Sequence, residues 1–142
     1  MTRAEPGVLD ASIAVKCFLE EVDSAAARRA VAERADWIAP DLIFLEVASV
    51  ALKTMRKGFL DQAQGAAMVA GASGLLVETV SSLELCDAAF RLASDHGFSA
   101  YDAAYMALAQ MRGGSLLTAD LKLVDRARAA GLGHLAVALA ST

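Results

Sequence analysis

An α/β fold, a parallel sheet with helices over both faces, is what this 142-residue sequence predicts, on three observations. Five short, nearly continuous apolar runs, at 7–10, 36–39, 75–80, 115–118 and 134–139, read as strands covered on both sides. Between them apolar positions recur at helical spacing over 13–21, 25–34, 42–57, 61–70, 83–96, 100–112 and 121–130. Several of those helices also carry end signals. Ser81 with Glu84, and Ser99 with Asp102, have capping-box spacing. Gly58, Gly97, Gly113 and Gly131 stand where a left-handed residue closes a helix. Lys53, Arg56 and Lys57 crowd a last turn and complement the helix dipole.

The elements follow one another without a linker, a repeat or a low-complexity tract, so residues 1–142 are read as a single domain. A composition 56% hydrophobic and 21% charged belongs to a folded globule. The net charge of −4 excludes a generally basic nucleic-acid coat. It does not exclude a nuclease, because metal ions supply positive charge locally. Cys17 and Cys86 lack metal-ligand spacing and are too few for a disulfide framework; both fall in apolar helical patterns and are expected as buried free thiols. The longest uncharged apolar stretch, 65–77, is shorter than the ~20 residues a membrane span needs. Residues 1–7 have no apolar core of the kind a signal peptide carries. A cytoplasmic protein without a membrane segment is the expectation.

In parallel sheets ligands bind beyond the carboxyl ends of the strands. Two strands end there in an acid: Leu9-Asp10-Ala11-Ser12 closes the first, and Leu117-Thr118-Ala119-Asp120 closes the fourth. Taken singly, Asp10, Ser12 and Asp120 also suit helix N-caps. Glu46 interrupts Leu42-Ile43-Phe44-Leu45-Glu46-Val47-Ala48-Ser49-Val50, a turn of helix apolar almost all round, and is expected to be buried. A buried carboxylate needs a partner, an arginine or a metal ion, or it shifts its pKa until neutral. Asp102 opens the helix of Tyr101-Asp102-Ala103-Ala104-Tyr105, a position where a capping acid is ordinary. Four such acids brought together are costly: two charges ~4 Å apart repel by about 4 kcal/mol at an effective dielectric of 20. Hard cations relieve that repulsion, and oxygen-only ligands suit Mg²⁺ or Mn²⁺ rather than zinc. His96 and His134 read as structural or surface residues.

These segments in this order, from the Val8-Leu9-Asp10-Ala11-Ser12 run through Ala39-Pro40-Asp41-Leu42 and Glu46 to Tyr101-Asp102-Ala103-Ala104-Tyr105 and Leu117-Thr118-Ala119-Asp120, resemble the successive motifs of PIN-domain ribonucleases. Their spacing is most similar to that of VapC-type toxins of bacterial toxin–antitoxin pairs. The resemblance implies a PIN-like three-layer sandwich with a five-stranded parallel sheet. It implies a catalytic metal site of Asp10, Glu46, Asp102 and Asp120, with Thr118, and Ser12 beside it, orienting the acids. It departs from the family at Phe18-Leu19-Glu20-Glu21, where aromatic-Leu-Pro-Glu is frequent, and at Cys17, which takes the usual Trp position.

The implied activity is Mg²⁺-dependent endonucleolytic hydrolysis of RNA, with Mn²⁺ a possible substitute, by a bound water that leaves a 5′-phosphate. The implied partners are an RNA substrate, a small VapB-like antitoxin and a second copy of the chain. The turn bearing Phe59 and Leu60, with Met68 and Val69 on the next helix, is the expected wall of the antitoxin groove. A catalytically silent PIN-like interaction module and a housekeeping RNA-processing nuclease without antitoxin are the competing readings. A phosphoryl-accepting aspartate of the haloacid-dehalogenase kind is disfavoured, because Ser12 stands where that chemistry needs a second Asp.

Overall fold

The computed structural model describes residues 7–140. Among them β1 (Gly7–Leu9), β2 (Ile38–Pro40), β3 (Glu78–Val80), β4 (Ser115–Thr118) and β5 (Ala136–Ala138) form one sheet in the order β3-β2-β1-β4-β5. Every neighbouring pair is parallel, with Val8 opposite Ile38 and Leu116 on either side. Seven helices flank it: α1 (Ala11–Lys16), α2 (Ser24–Ala32), α3 (Ile43–Arg56), α4 (Gln62–Ala72), α5 (Ser82–His96), α6 (Ala100–Arg112) and α7 (Leu121–Ala129). From β1 the chain builds outward through β2 to β3, then returns to lay β4 on the other side of β1. The β1–β4 seam is therefore the topological switch point, where the strand ends open a crevice.

β1 and β2 are buried throughout, as apolar runs covered on both faces should be. The edges depart from that expectation. Glu78 and Thr79 of β3 and Val137 of β5 are exposed. Glu78 is held there by Arg112, with Nη1 donating at 3.0 Å; a charged pair on an edge strand discourages pairing with another chain. α6 is the central helix. Residues 103–109 are all buried against β1, β2, β4 and α5, which explains a sequence apolar on every side.

The first helix ends sooner than the apolar pattern over 13–21 suggests, because side chains take the carbonyls that would continue it. Arg28 Nε donates to the Cys17 carbonyl at 3.3 Å, Ser24 Oγ to that of Leu19 at 2.6 Å, and Lys16 Nζ to that of Val22 at 2.7 Å. Asp23 then turns the chain with a φ of 67°. Phe18 of this turn lies so close to Gly71 that a Cβ there would come within 2.6 Å of the ring, which pins the turn against α4.

All four helix-closing glycines have positive φ, as expected. Ser81 and Ser99 accept from the backbone N–H of Glu84 and Asp102 at 3.2 and 3.1 Å. The full reciprocal capping box is formed elsewhere, by Asp61 and Gln64. The thiols are free but not both buried: Cys17 is half-buried and Cys86 exposed, because Leu85 and Ala89 take the core-facing positions of α5. No helix among the described residues is long and apolar enough to cross a membrane.

Candidate active site

Beyond the carboxyl ends of β1 and β4 lies a cleft of about 320 Å³ lined by Asp10, Ser12, Glu46, Ser49, Val50, Lys53, Asp102 and Asp120. All four acids singled out in the sequence meet there. A larger hollow beside Arg34 and Trp37 opens at the amino end of β2 and holds none of them, so chemistry rather than size assigns the site.

Asp10 follows β1 and is 9% exposed. It occupies the N-cap position of α1 without capping it. Its Oδ2 instead accepts from Ser12 Oγ at 2.6 Å and from Thr118 Oγ1 at 2.7 Å. The same hydroxyls accept in turn from the backbone: Ser12 Oγ from Ala119 N–H at 3.0 Å, Thr118 Oγ1 from Asp120 N–H at 3.1 Å. Two hydroxyls thus lock the tips of adjacent parallel strands together and aim Asp10 between them. Asp120 does cap its helix, accepting from Leu123 N–H at 3.2 Å, while lining the cleft.

The other two acids come from helices. α3 presents Glu46, Ser49, Val50 and Lys53, a stripe at helical spacing, along one wall. Glu46 is half-buried rather than enclosed, since Leu45 beside it is 77% exposed. Its partner is not an arginine: Tyr105 Oη donates to Glu46 Oε1 at 2.7 Å. α6 supplies both Asp102 and, one turn on, Tyr105.

Electrostatics mark the cluster as short of positive charge. Burial raises the pKa of Asp10 against the pull of the Ser12 and Thr118 hydroxyls, and the Asp120 charge adds to it. Burial also raises Glu46; its Tyr105 bond opposes this, and the charges of Asp10 and Asp102 reinforce it. Asp102 is raised by burial and then by Asp10 and Asp120, with Ser99 and Arg126 pulling the other way. Tyr105 is pushed far above its ordinary value by burial and by Glu46, so it remains a proton donor. Among the described residues none of the four acids makes an ion pair.

The donor set is oxygen only, which suits Mg²⁺ or Mn²⁺. Yet among the described residues no three acids are gathered tightly enough to close on one ion. That spacing accords with Mg²⁺, which commonly keeps several waters and takes only one or two carboxylates beside substrate phosphate.

The chain matches the PIN domain over residues 7–129, from the first residue of β1 to the last of α7. It belongs to the PIN-domain family. Ribonuclease VapC3 of Pyrobaculum aerophilum is 36% identical over 121 residues, covering 84% of this chain and 92% of that protein. Two crystal structures show the same fold. PAE2754 of Pyrobaculum aerophilum superposes with a TM-score of 0.70 at 22% identity, over 94% of this chain and 84% of the other. VapC20 of Mycobacterium tuberculosis, a sarcin–ricin loop cleaving toxin, gives 0.65 at 18% identity, over 88% and 95%.

Two further residues serve this PIN cleft, Lys53 on its wall and Tyr105 behind Glu46. Of Lys53, Arg56 and Lys57, any of which could by sequence track a phosphate backbone, Lys53 alone lines the cleft, seven residues after Glu46 on the same helix face. Tyr105 is a core residue, 1% exposed, yet its hydroxyl reaches the site through Glu46. Its signal in the sequence is a hydroxyl three residues after Asp102, inside the otherwise apolar run 103–109.

Proposed function

We propose that this chain is a metal-dependent endoribonuclease and the toxin of a VapBC-type pair. The convergence of Asp10, Glu46, Asp102 and Asp120 at the switch point of a PIN fold carries the reading, supported by similarity to a ribonuclease over most of the chain. Asp10, Glu46 and Asp102 would share in holding Mg²⁺, one or two of them directly and the rest through its bound waters, with Asp120 reached through water or a second ion. The metal, when bound, polarises the scissile phosphate and lowers the pKa of an attacking water. Ser12 and Thr118 keep Asp10 aimed at the cleft. Lys53, exposed at its rim, is placed to meet a backbone phosphate. The test is cleavage of RNA by the purified chain with Mg²⁺ against chelator, the products carrying 5′-phosphates. Cleavage that persists in chelator would count against it. An exposed, free Cys86 supports a reducing, cytoplasmic setting.

An antitoxin tail is expected in an apolar groove, with an Arg or Lys reaching the acids. The groove differs from the sequence expectation. Phe59 is 75% exposed and lines it, with Leu60, Phe18 and Leu19, but Met68 is buried in the core and Val69 packs against that core. Phe59→Asp should weaken capture of the operon-encoded partner by about 2 kcal/mol or more, as expected of an aromatic anchor. Unchanged affinity in a folded variant would place the groove elsewhere.

A homodimer is also expected. Leu45 on α3 and Leu83 and Phe90 on α5 are exposed. The segment before α3 meets the start of α5, where Ser82 Oγ donates to Asp41 Oδ1 at 2.7 Å, and exposed apolar side chains on both helices favour self-association. Sedimentation at micromolar concentration should give a dimer, and Leu45→Asp a monomer. A monomeric wild type ends this claim.

A further inference from the structure

We propose that Tyr105 is a positioning residue for Glu46: from the core it holds one carboxylate oxygen so that the other is presented to the cleft. The inference rests on the metal-dependent reading above and adds a residue to it. Tyr105 is almost wholly buried, and its ring is fixed by the packing of α6. Its hydroxyl does not bond to its own helix. It spans 59 positions of sequence to α3 and takes a carboxylate oxygen at 2.7 Å.

Glu46 needs such a hold. Its side chain has three rotatable bonds and is half-buried, with exposed neighbours at Leu45 and Ser49. Left alone it would sample several rotamers, and ordering it on metal binding would cost conformational entropy. Asp10 is held by two hydroxyls from adjoining strands; Tyr105 does the corresponding work for Glu46 from a different element. A hydroxyl–carboxylate bond is among the stronger kinds because the acceptor is charged. It occupies Oε1 and leaves Oε2 without that donor. Asp102 lies one turn before Tyr105 on α6, so a single rigid helix sets the positions of two of the four acids.

A purely structural tyrosine would behave differently, and Tyr105→Phe separates the two because it keeps the ring and removes only the oxygen. The measurements are Mn²⁺ affinity by calorimetry without RNA, and the melting temperature in chelator. Tyr105→Phe should lower Mn²⁺ affinity by about 10–100-fold, the usual cost of losing a group that orients a ligand. Its melting temperature in chelator should stay close to wild type, because the freed Glu46 oxygen can reach water. With Glu46→Gln already in place, adding Tyr105→Phe should change Mn²⁺ affinity less than about twofold, since contributions made through a shared partner are not additive. Wild-type Mn²⁺ affinity in Tyr105→Phe overturns the proposal, as does an undiminished loss in the Glu46→Gln background. Lower melting in chelator with unchanged Mn²⁺ affinity would make Tyr105 a core residue only. A wild-type chain that binds no Mn²⁺ defeats the metal reading itself and the proposal with it, and is told apart by its first titration.

Discussion

Asp10→Asn and Asp102→Asn should each lower divalent-dependent RNA cleavage by at least about a hundredfold, given that losing a group one shell further out already costs about 10–100-fold. Asp10 is the stronger case. It sits at the switch point, nearly buried, with its carboxylate engaged by two hydroxyls and not spent on capping. Asparagine keeps an oxygen that can accept from Ser12 and Thr118, so the strand tips stay joined while the charge is lost. Asp102 is held by a rigid buried helix, so its replacement leaves the geometry in place and removes one anionic donor. Asp87→Asn is the control: that acid is exposed on α5 and paired with Arg91 at 3.2 Å, away from the cleft. It should cleave at the wild-type rate. Wild-type cleavage by either cleft variant would remove the metal-site assignment.

The same two cleft substitutions should raise the melting temperature in chelator by about 2–4 °C, roughly 1 kcal/mol for a domain near this size. The gain is kept this small because Asp102 and Glu46 are partly solvated and their repulsion is screened. With saturating Mg²⁺ the order should narrow or invert, because wild type then gains binding free energy that the variants lack. A pH dependence follows from the same charges. Asp10, Glu46 and Asp102 all have folded-state pKa values above their ordinary 3.8, 4.5 and 3.8. The folded state therefore binds protons more readily than the unfolded chain. The stability these groups contribute is complete below the ordinary values and is lost as pH rises through the raised ones. Asp36 and Glu78 run the other way: their bonds to Arg34 and Arg112 lower their pKa values, and their contribution is lost in acid. Metal-free protein should thus melt higher at mildly acid pH, just above the ordinary carboxylate range, than at pH 7, and Mg²⁺ should shrink the difference. A chelated wild type that melts lower throughout that range, and variants less stable both with and without metal, would reduce the acids to capping roles.

Much of this was legible in one dimension, for a physical reason. Strand and helix periodicities, the four closing glycines and the serine caps are local, set by backbone sterics and by bonds to residues three or four positions away. The four acids were legible because a charge inside an apolar run, or at a strand tip, conflicts with its surroundings and demands an explanation. The end of α1 was not. Arg28, Ser24 and Lys16 stop it by taking carbonyls five to eleven residues away, and such competition leaves no periodic trace. Met68 and Phe59 are both large and apolar; their opposite fates, core and surface, depend on how α4 packs against α3 and on the turn between them that carries Phe59.

By itself, then, the sequence determined an α/β chain of alternating strands and helices, with acids at the points where ligands bind. Tertiary structure alone decided that β4 lies beside β1, which brings Asp10 and Thr118 from 108 positions apart to 2.7 Å. It alone decided that Glu46 answers to a tyrosine rather than an arginine, and that Lys53 and not its neighbours borders the cleft. Those outcomes turn on strand order and helix rotation, which are set by the packing of the whole core. No local stretch of residues encodes the partner that a side chain will meet across it.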